Sequence, residues 1–303
     1  MSILETVPHP GNFCGGSFQD WIEVNLVPEC NARCKWCVEK IGYHPTNRED
    51  WQTIGKAAID TGKKNIILLG GEPTLFRDLK LLIDMLLAAE RHVYVTTNGS
   101  RINREFVESN LRGISGLNIS VHHYELKKNA DITGLLINKL TLQGGIVSAR
   151  EQNIRVRLNC NAIRGYIDNE EKIHKYLKFV KEMFADCARF AELKLDTDSF
   201  VDLQTVLEGK YGLNNDPFIL GCNHDAEIDG VPVNFRQMCG LQTPFRKKPV
   251  NPKQFAKNVL YYDGKIYDGW QSPQNIGKMA KRQILEDLAK GKITVGEAER
   301  YFV

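Results

Sequence analysis

The 303-residue sequence predicts an α/β fold: six alternating strand and helix units forming a parallel sheet curled as a partial barrel, followed by an irregular C-terminal extension. Three observations predict it. Over residues 21–195 short β-rich runs alternate with longer stretches whose apolar residues recur at helical spacing. The length suits one such domain with an appendage. Beyond Thr197 the pattern breaks up and Gly, Pro and basic residues take over. The expected plan is a leader over 1–19, a core over 20–197 and an extension over 198–303.

The first strand is read at 21–27, and its helix within 49–61, where Trp51, Ile54, Ala58 and Ile59 share a face. The second strand is 65–69. The helix after it, 78–90, carries Leu79, Leu82, Ile83, Leu86 and Leu87 on one face behind Asp78, an expected N-cap. Strands follow at 93–97, 117–121, 155–162 and 190–195, with helices around Phe106 and Leu140 and over 170–185. In the extension, residues 261–265 read as a hairpin turn and 284–288 as a terminal helix.

A hydrophobic content of 42% with 25% charged residues describes a chain that buries a sizeable core. No apolar run reaches the roughly 18 residues of a membrane span, and residues 1–12 lack a basic stretch followed by an apolar one, so a cytoplasmic, membrane-free protein is expected. A net charge of +3 gives no electrostatic footprint for nucleic acid. Three of the eight cysteines lie within eight residues, which in a cytosolic chain favours metal over disulfides.

Those three are Cys30, Cys34 and Cys37, directly after the first strand. Three thiolates on so short a loop hold three corners of an iron–sulfur cube and leave the fourth iron open to a small molecule, whereas an electron-transfer ferredoxin would want a fourth cysteine. A zinc knuckle is the competing reading; its fourth ligand is missing at regular spacing, His44 lying seven residues beyond Cys37. Gly70-Gly71-Glu72-Pro73 ends the second strand, where glycines admit close backbone approach and Glu72 offers an acceptor for an ammonium group. Alone it would be a turn. Thr96-Thr97-Asn98-Gly99 ends the third strand, Ser120-Val121-His122-His123 the fourth, and the fifth runs through Asn159, Cys160 and Asn161 towards Arg164. Cys160 is expected to be buried within its strand. All these ends converge on one mouth, where such folds gather their chemistry.

The CxxxCxxC loop with an aromatic before its last cysteine, followed by GGEP on the second strand, resembles the signature of the radical S-adenosylmethionine (SAM) superfamily. The fifth-strand segment resembles the molybdenum-cofactor protein A branch. The resemblance implies a partial (β/α)6 TIM-like barrel of the radical SAM type. It implies one [4Fe-4S] cluster on Cys30, Cys34 and Cys37 that chelates SAM and cleaves it reductively to a 5'-deoxyadenosyl radical. SAM contacts are then expected from Trp36, Gly70, Gly71, Glu72, Pro73, Asn98, Ser120, Asn161 and Arg164. His122, Tyr124 and Lys194 are the expected catalytic residues at the mouth, with Glu192 and Asp196 beside them. Cys222 and Cys239 are too few for a second cluster of the usual kind.

The extension also interleaves Arg236, Lys247, Lys253 and Lys257 with aromatics, a mixture suited to gripping a phosphate or to forming a solvated basic face. By the resemblance it caps the mouth and selects a small, anionic or nucleotide-like substrate, and a flavodoxin or ferredoxin supplies the electron. The runner-up is a peptide maturase, disfavoured because residues 1–20 are shorter than a peptide-clasping domain. The alternative of another class is a non-catalytic iron–sulfur or zinc module.

Overall fold

The computed structural model describes residues 20–37, 39, 44–193, 198–213, 223–238, 258–268 and 288–290. Lys194, Asp196, Cys222, Cys239, Lys247, Lys253, Lys257, the leader and nearly all of 284–288 lie outside the described residues.

In the core, β1 (Trp21–Asn25), β2 (Asn65–Leu69), β3 (His92–Thr97), β4 (Gly116–Ser120), β5 (Arg155–Asn161) and β6 (Cys187–Ala191) alternate with helices. These are α1 (Trp51–Asp60), α2 (Leu79–Ala88), α3 (Arg104–Asn110), α4 (Leu126–Thr133), α5 (Lys139–Glu151) and α6 (Glu170–Glu182). The six strands pair in sequence order, all parallel. The alternating α/β core is therefore as expected.

The extension is more regular than expected. After the short α7 (Leu203–Val206) come β7 (Asn223–Ile228), β8 (Val231–Arg236), β9 (Asn258–Tyr261) and β10 (Ile266–Asp268), two antiparallel hairpins. One flanks each edge of the core: β8 runs parallel beside β6 and β9 parallel beside β1, giving the order β10-β9-β1-β2-β3-β4-β5-β6-β8-β7. The sheet is not closed, but it curls, because Arg236 on β8 feels the charge of Glu23 on β1 with five strands between them.

The outer face is apolar. Leu260, Val24, Leu68, Val95, Leu117 and Val156 lie side by side across the sheet, with Leu158, Ala188 and Val233 continuing the row. Phe190 lies 5.3 Å from Tyr176 of α6, which marks this as the helix-covered side. The inner face carries Asn25, Thr96, Asn118, Ser120, Arg157, Asn159, Asn161, Arg189, Asn234 and Arg236. A parallel strand buried on both sides ordinarily reads as continuously apolar; alternation here marks a polar interior.

Two local expectations need correction. Asp78 makes no side-chain cap bond, since the Leu79 N–H is already taken by Phe76 O at 3.2 Å in the preceding turn. The sixth strand ends at Ala191 rather than at 195, because the Glu192 carboxylate leaves the sheet to accept the N–H groups of Leu203 (3.0 Å) and Met238 (2.6 Å). Glu192 is thus a buried anchor for the extension and not a mouth residue. No helix among the described residues is long and apolar enough to cross a membrane.

Candidate functional site

The cysteine loop is laid against the end of β2 by backbone contacts. Gly71 N–H donates to Val27 O at 2.6 Å and Glu72 N–H to Glu29 O at 2.8 Å. Gly70 has φ +143°, and a Cβ on Gly71 would sit 2.2 Å from Glu29 O. Only glycine admits so close an approach of one loop to another.

Glu72 is 1% exposed, and its carboxylate is fully engaged. One oxygen accepts from Thr74 N (3.1 Å), Thr74 Oγ1 (2.6 Å) and Thr97 Oγ1 (2.5 Å), and the other from Asn98 N (2.7 Å). The carboxylate expected to receive an ammonium group is here a bracket joining the ends of β2 and β3. Asn98 carries the bracket onward, its side-chain N–H donating to Asn31 Oδ1 (2.7 Å) and towards Cys30 Sγ (3.8 Å). Asn31 in turn donates to Ser100 Oγ at 2.9 Å. On the other flank Arg33 N–H donates to Thr133 O at 2.6 Å, tying the loop to the C-terminus of α4.

Cys30, Cys34 and Cys37 are half-buried and none is in a disulfide. Among the described residues no three His, Cys, Asp or Glu side chains converge as around a single metal ion. In a cuboidal cluster each thiolate holds a different iron, and three accessible thiols on one loop match that donor set. N–H groups of Ala32 (3.3 Å) and Asn98 face Cys30 Sγ, as donors to a ligating sulfur do. The residues fit the cluster. Beside them Glu39 is buried, which pushes its carboxyl up to about 7 against the opposing hydrogen bond from Asn25.

Trp36 reaches across the mouth to Ile132, Ile163, Leu193 and Tyr166 and stands edge-on to His122 at 5.9 Å. His122 Nδ1 accepts the Asn161 N–H at 3.1 Å, which fixes the ring proton on Nε2. Its own N–H donates to Asn129 Oδ1 at 2.7 Å. Burial lowers its pKa from 6.5 to about 4, so it is neutral at physiological pH. Between those two values the unfolded chain binds a proton that the folded chain refuses, so stability is lost as pH falls through this window and is unaffected above it. Denaturant unfolding should show about 2 kcal/mol more loss between pH 7 and pH 5 in the wild type than in His122→Gln. Equal losses in the two proteins would remove His122 from the account.

His123 Nδ1 accepts from Glu125 N–H at 2.9 Å, and its ring lies 4.3 Å from that of Tyr124. Ser120 pairs with Asn159 on the inner face. Arg164 is exposed and turned towards the extension, its guanidinium donating to Phe200 O at 3.4 Å. The structure thus brings the cysteine loop, residues 70–73, Asn98, His122 and Asn161 to one end of the sheet, with Arg164 at the margin.

Missing from the sequence reading is a diagonal of arginines on the inner face. Arg157, Arg189 and Arg236 stand on three neighbouring strands, each one inward-facing position further along than the last. Arg157 Nε donates to Asn159 Oδ1 (2.9 Å) and Arg189 Nε to Asn234 Oδ1 (2.7 Å), while Asn234 is held by Asp225 at 2.8 Å. Arg189 Nη2 is buried without a hydrogen-bond partner. Burial, reinforced by the neighbouring cations, holds Arg189 well below the usual arginine range, and burial brings Arg157 to about 10. The polar alternation Arg-Val-Arg-Leu-Asn-Cys-Asn in β5 was the available signal.

Comparison with known proteins gives this geometry a family. Residues 24–180 match the model of the radical SAM superfamily. GTP 3',8-cyclase of Actinobacillus succinogenes is 31% identical over 172 residues, covering 54% of this chain and 50% of that protein. GTP 3',8-cyclase of Campylobacter jejuni is 29% identical over 193 residues, covering 61% and 59%. The match therefore spans between half and three-fifths of these curated relatives. Among solved structures, Streptococcus suis SuiB is similar with a TM-score of 0.53 at 19% identity over 73% of this chain and 50% of that one. A radical SAM methyltransferase from Sphaerobacter thermophilus gives 0.50 at 15% identity over 71% and 65%. These two likenesses speak to fold alone. With more than half of its length matching the family model, and with the motif ends gathered at one edge of a parallel sheet, the chain belongs to the radical SAM superfamily.

Proposed function

We propose that the protein is an enzyme that cleaves SAM reductively and uses the resulting radical to abstract hydrogen from a small, anionic, nucleotide-like substrate. The observation that carries this reading is the three-thiol loop braced through Asn31 and Asn98 to the Glu72 bracket. A [4Fe-4S] cluster on Cys30, Cys34 and Cys37 would supply the electron that splits the SAM sulfonium to a 5'-deoxyadenosyl radical. The chain's own residues hold and orient. Residues 70–73 present backbone to the methionyl end of SAM; Asn98, Ser120 and Asn161 offer amide and hydroxyl contacts. Trp36 borders the adenine with His122 Nε2–H as a fixed, non-titrating donor. Arg164 and Lys194 flank the mouth, and Tyr124, half-buried beside His123, has a phenol suited to returning a hydrogen atom or proton.

The substrate reading rests on the arginine diagonal together with the curated relatives, whose printed activity is on GTP. Guanidiniums bind phosphate bidentately, and a buried Nη2 without a partner is costly unless an acceptor meets it. An external one-electron donor completes the reaction.

The test is anaerobic reconstitution with iron and sulfide, with electron paramagnetic resonance before and after SAM and chromatography for 5'-deoxyadenosine. A reduced-cluster signal that shifts with SAM and is lost in the triple variant Cys30→Ala, Cys34→Ala, Cys37→Ala is expected. Bound zinc with no iron signal, or an iron signal that survives in the variant, would sink the reading.

A further inference from the structure

The three loops that surround the cluster ligands carry an uneven set of charges. Their exposed cations are Arg33 and Lys35 between the cysteines, Arg77 after the GGEP run and Arg101 after β3. Among the described residues Arg33, Lys35, Arg77 and Arg101 are in no ion pair with a carboxylate. The carboxylates of the same loops are otherwise occupied or withdrawn. Glu29 is paired with Arg48 at 2.5 Å, Glu72 is buried under its four donors, and Asp78 is half-buried.

The loops are bound into one surface. The cysteine loop is hydrogen-bonded to the GGEP loop through Gly71 and Glu72, Arg101 Nη1 donates to Thr74 O at 2.8 Å, and Asn31 donates to Ser100. Two apolar side chains stand exposed on loops touching this surface, Leu75 at 37% and Leu136 at 79%. Leu136 lies two residues beyond Gly134, which is packed on Arg33. A cationic surface with small apolar contacts, set around a redox centre, complements an acidic protein surface.

We infer that the face formed by Arg33, Lys35, Arg77 and Arg101 is the docking site of an acidic one-electron carrier protein that reduces the cluster. The inference rests on the proposed cluster chemistry, since only a centre that needs an outside electron calls for such a partner. Opposite charge on the two surfaces raises the rate of encounter and makes it fall with salt, because charges are screened beyond about 8 Å at physiological ionic strength. The docked partner then sits against the loop that holds the thiolates, which keeps the electron's path short.

The experiment is stopped-flow reduction of the reconstituted, SAM-loaded full chain by a reduced flavodoxin, with reduced methyl viologen, a small cation, as the comparison reductant. In the wild type the flavodoxin-driven rate should drop about tenfold or more from low to high salt. The double variant Lys35→Glu, Arg77→Glu should lose a similar factor at low salt, with unchanged iron content. Its viologen-driven 5'-deoxyadenosine formation should be equal or faster. A flavodoxin rate indifferent to both salt and charge reversal would overturn the docking site. If the variant loads less iron, the wild-type salt dependence decides alone. Absence of 5'-deoxyadenosine from the wild type with viologen would instead overturn the radical chemistry, a separate failure.

Discussion

Replacing Gly71 with alanine is expected to remove iron–sulfur loading and SAM cleavage while leaving the barrel folded. The added Cβ would lie 2.2 Å from Glu29 O, 2.6 Å from Glu29 C and 2.6 Å from Pro28 O. All three atoms are backbone, so no side-chain rotation relieves the clash, and the segment that leads directly into Cys30 must shift. The same shift breaks the bonds from Gly71 to Val27 and from Glu72 to Glu29. Overpacking of this kind costs about 1–3 kcal/mol, enough to disorder a loop but not a ten-stranded sheet. Iron content after reconstitution should fall several-fold and 5'-deoxyadenosine to background, with an unchanged far-ultraviolet spectrum. Gly144→Ala is the control: it lies within α5 with nothing within 4 Å of its added Cβ, so full iron loading and equal or slightly higher stability are expected. Full loading in Gly71→Ala would mean that the loop contact does not set the cysteine geometry.

Glu72→Gln should lower the rate of SAM cleavage by at least tenfold, with a melting temperature several degrees lower. An amide has one acceptor oxygen where the carboxylate has two. If that oxygen keeps Thr74 and Thr97, the new NH2 faces the Asn98 N–H, and two donors confront each other in a buried place. A buried donor left without an acceptor costs about 1–3 kcal/mol. Asn98 is then released, and with it the restraint on Asn31 and Cys30. Thr97→Val separates this bracket from a direct contact to SAM, because it removes one donor and leaves the carboxylate charge in place. The bracket demands a partial loss of activity and of stability in Thr97→Val, measured by product chromatography and thermal melts. A fully active Thr97→Val beside a dead Glu72→Gln would point to the carboxylate touching SAM.

The parts of the site legible in the sequence were those written in contiguous residues. Cys30, Cys34 and Cys37 lie on one turn of chain, and Gly70 to Pro73 directly follow a strand whose bounds, Asn65–Leu69, are those expected. What Glu72 does was not legible, because two of its donors come from Thr97 and Asn98 on another strand end. The arginine diagonal was hidden for a related reason. Which of Arg155, Arg157, Asn159 and Asn161 face inwards depends on a register set by pairing with β4 and β6, and a slip of one residue inverts it. The hairpins of the extension were half legible. The turn at 261–265 was foreseen, yet the parallel pairing of β9 with β1 joins residues more than two hundred positions apart, which no local pattern encodes.

That distant pairing imposes an order on the protein's making. As the chain leaves the ribosome, β1 emerges early with its cysteine loop, but one of its two edges stays open until β9 and β10 arrive. A naked parallel edge is an invitation to wrong partners. Through most of synthesis, then, the strand that leads into the thiols is also the least protected in the sheet. The machinery that delivers iron and sulfide meets either a nascent chain with that flank bare or a finished one in which the last hairpin has already shut it.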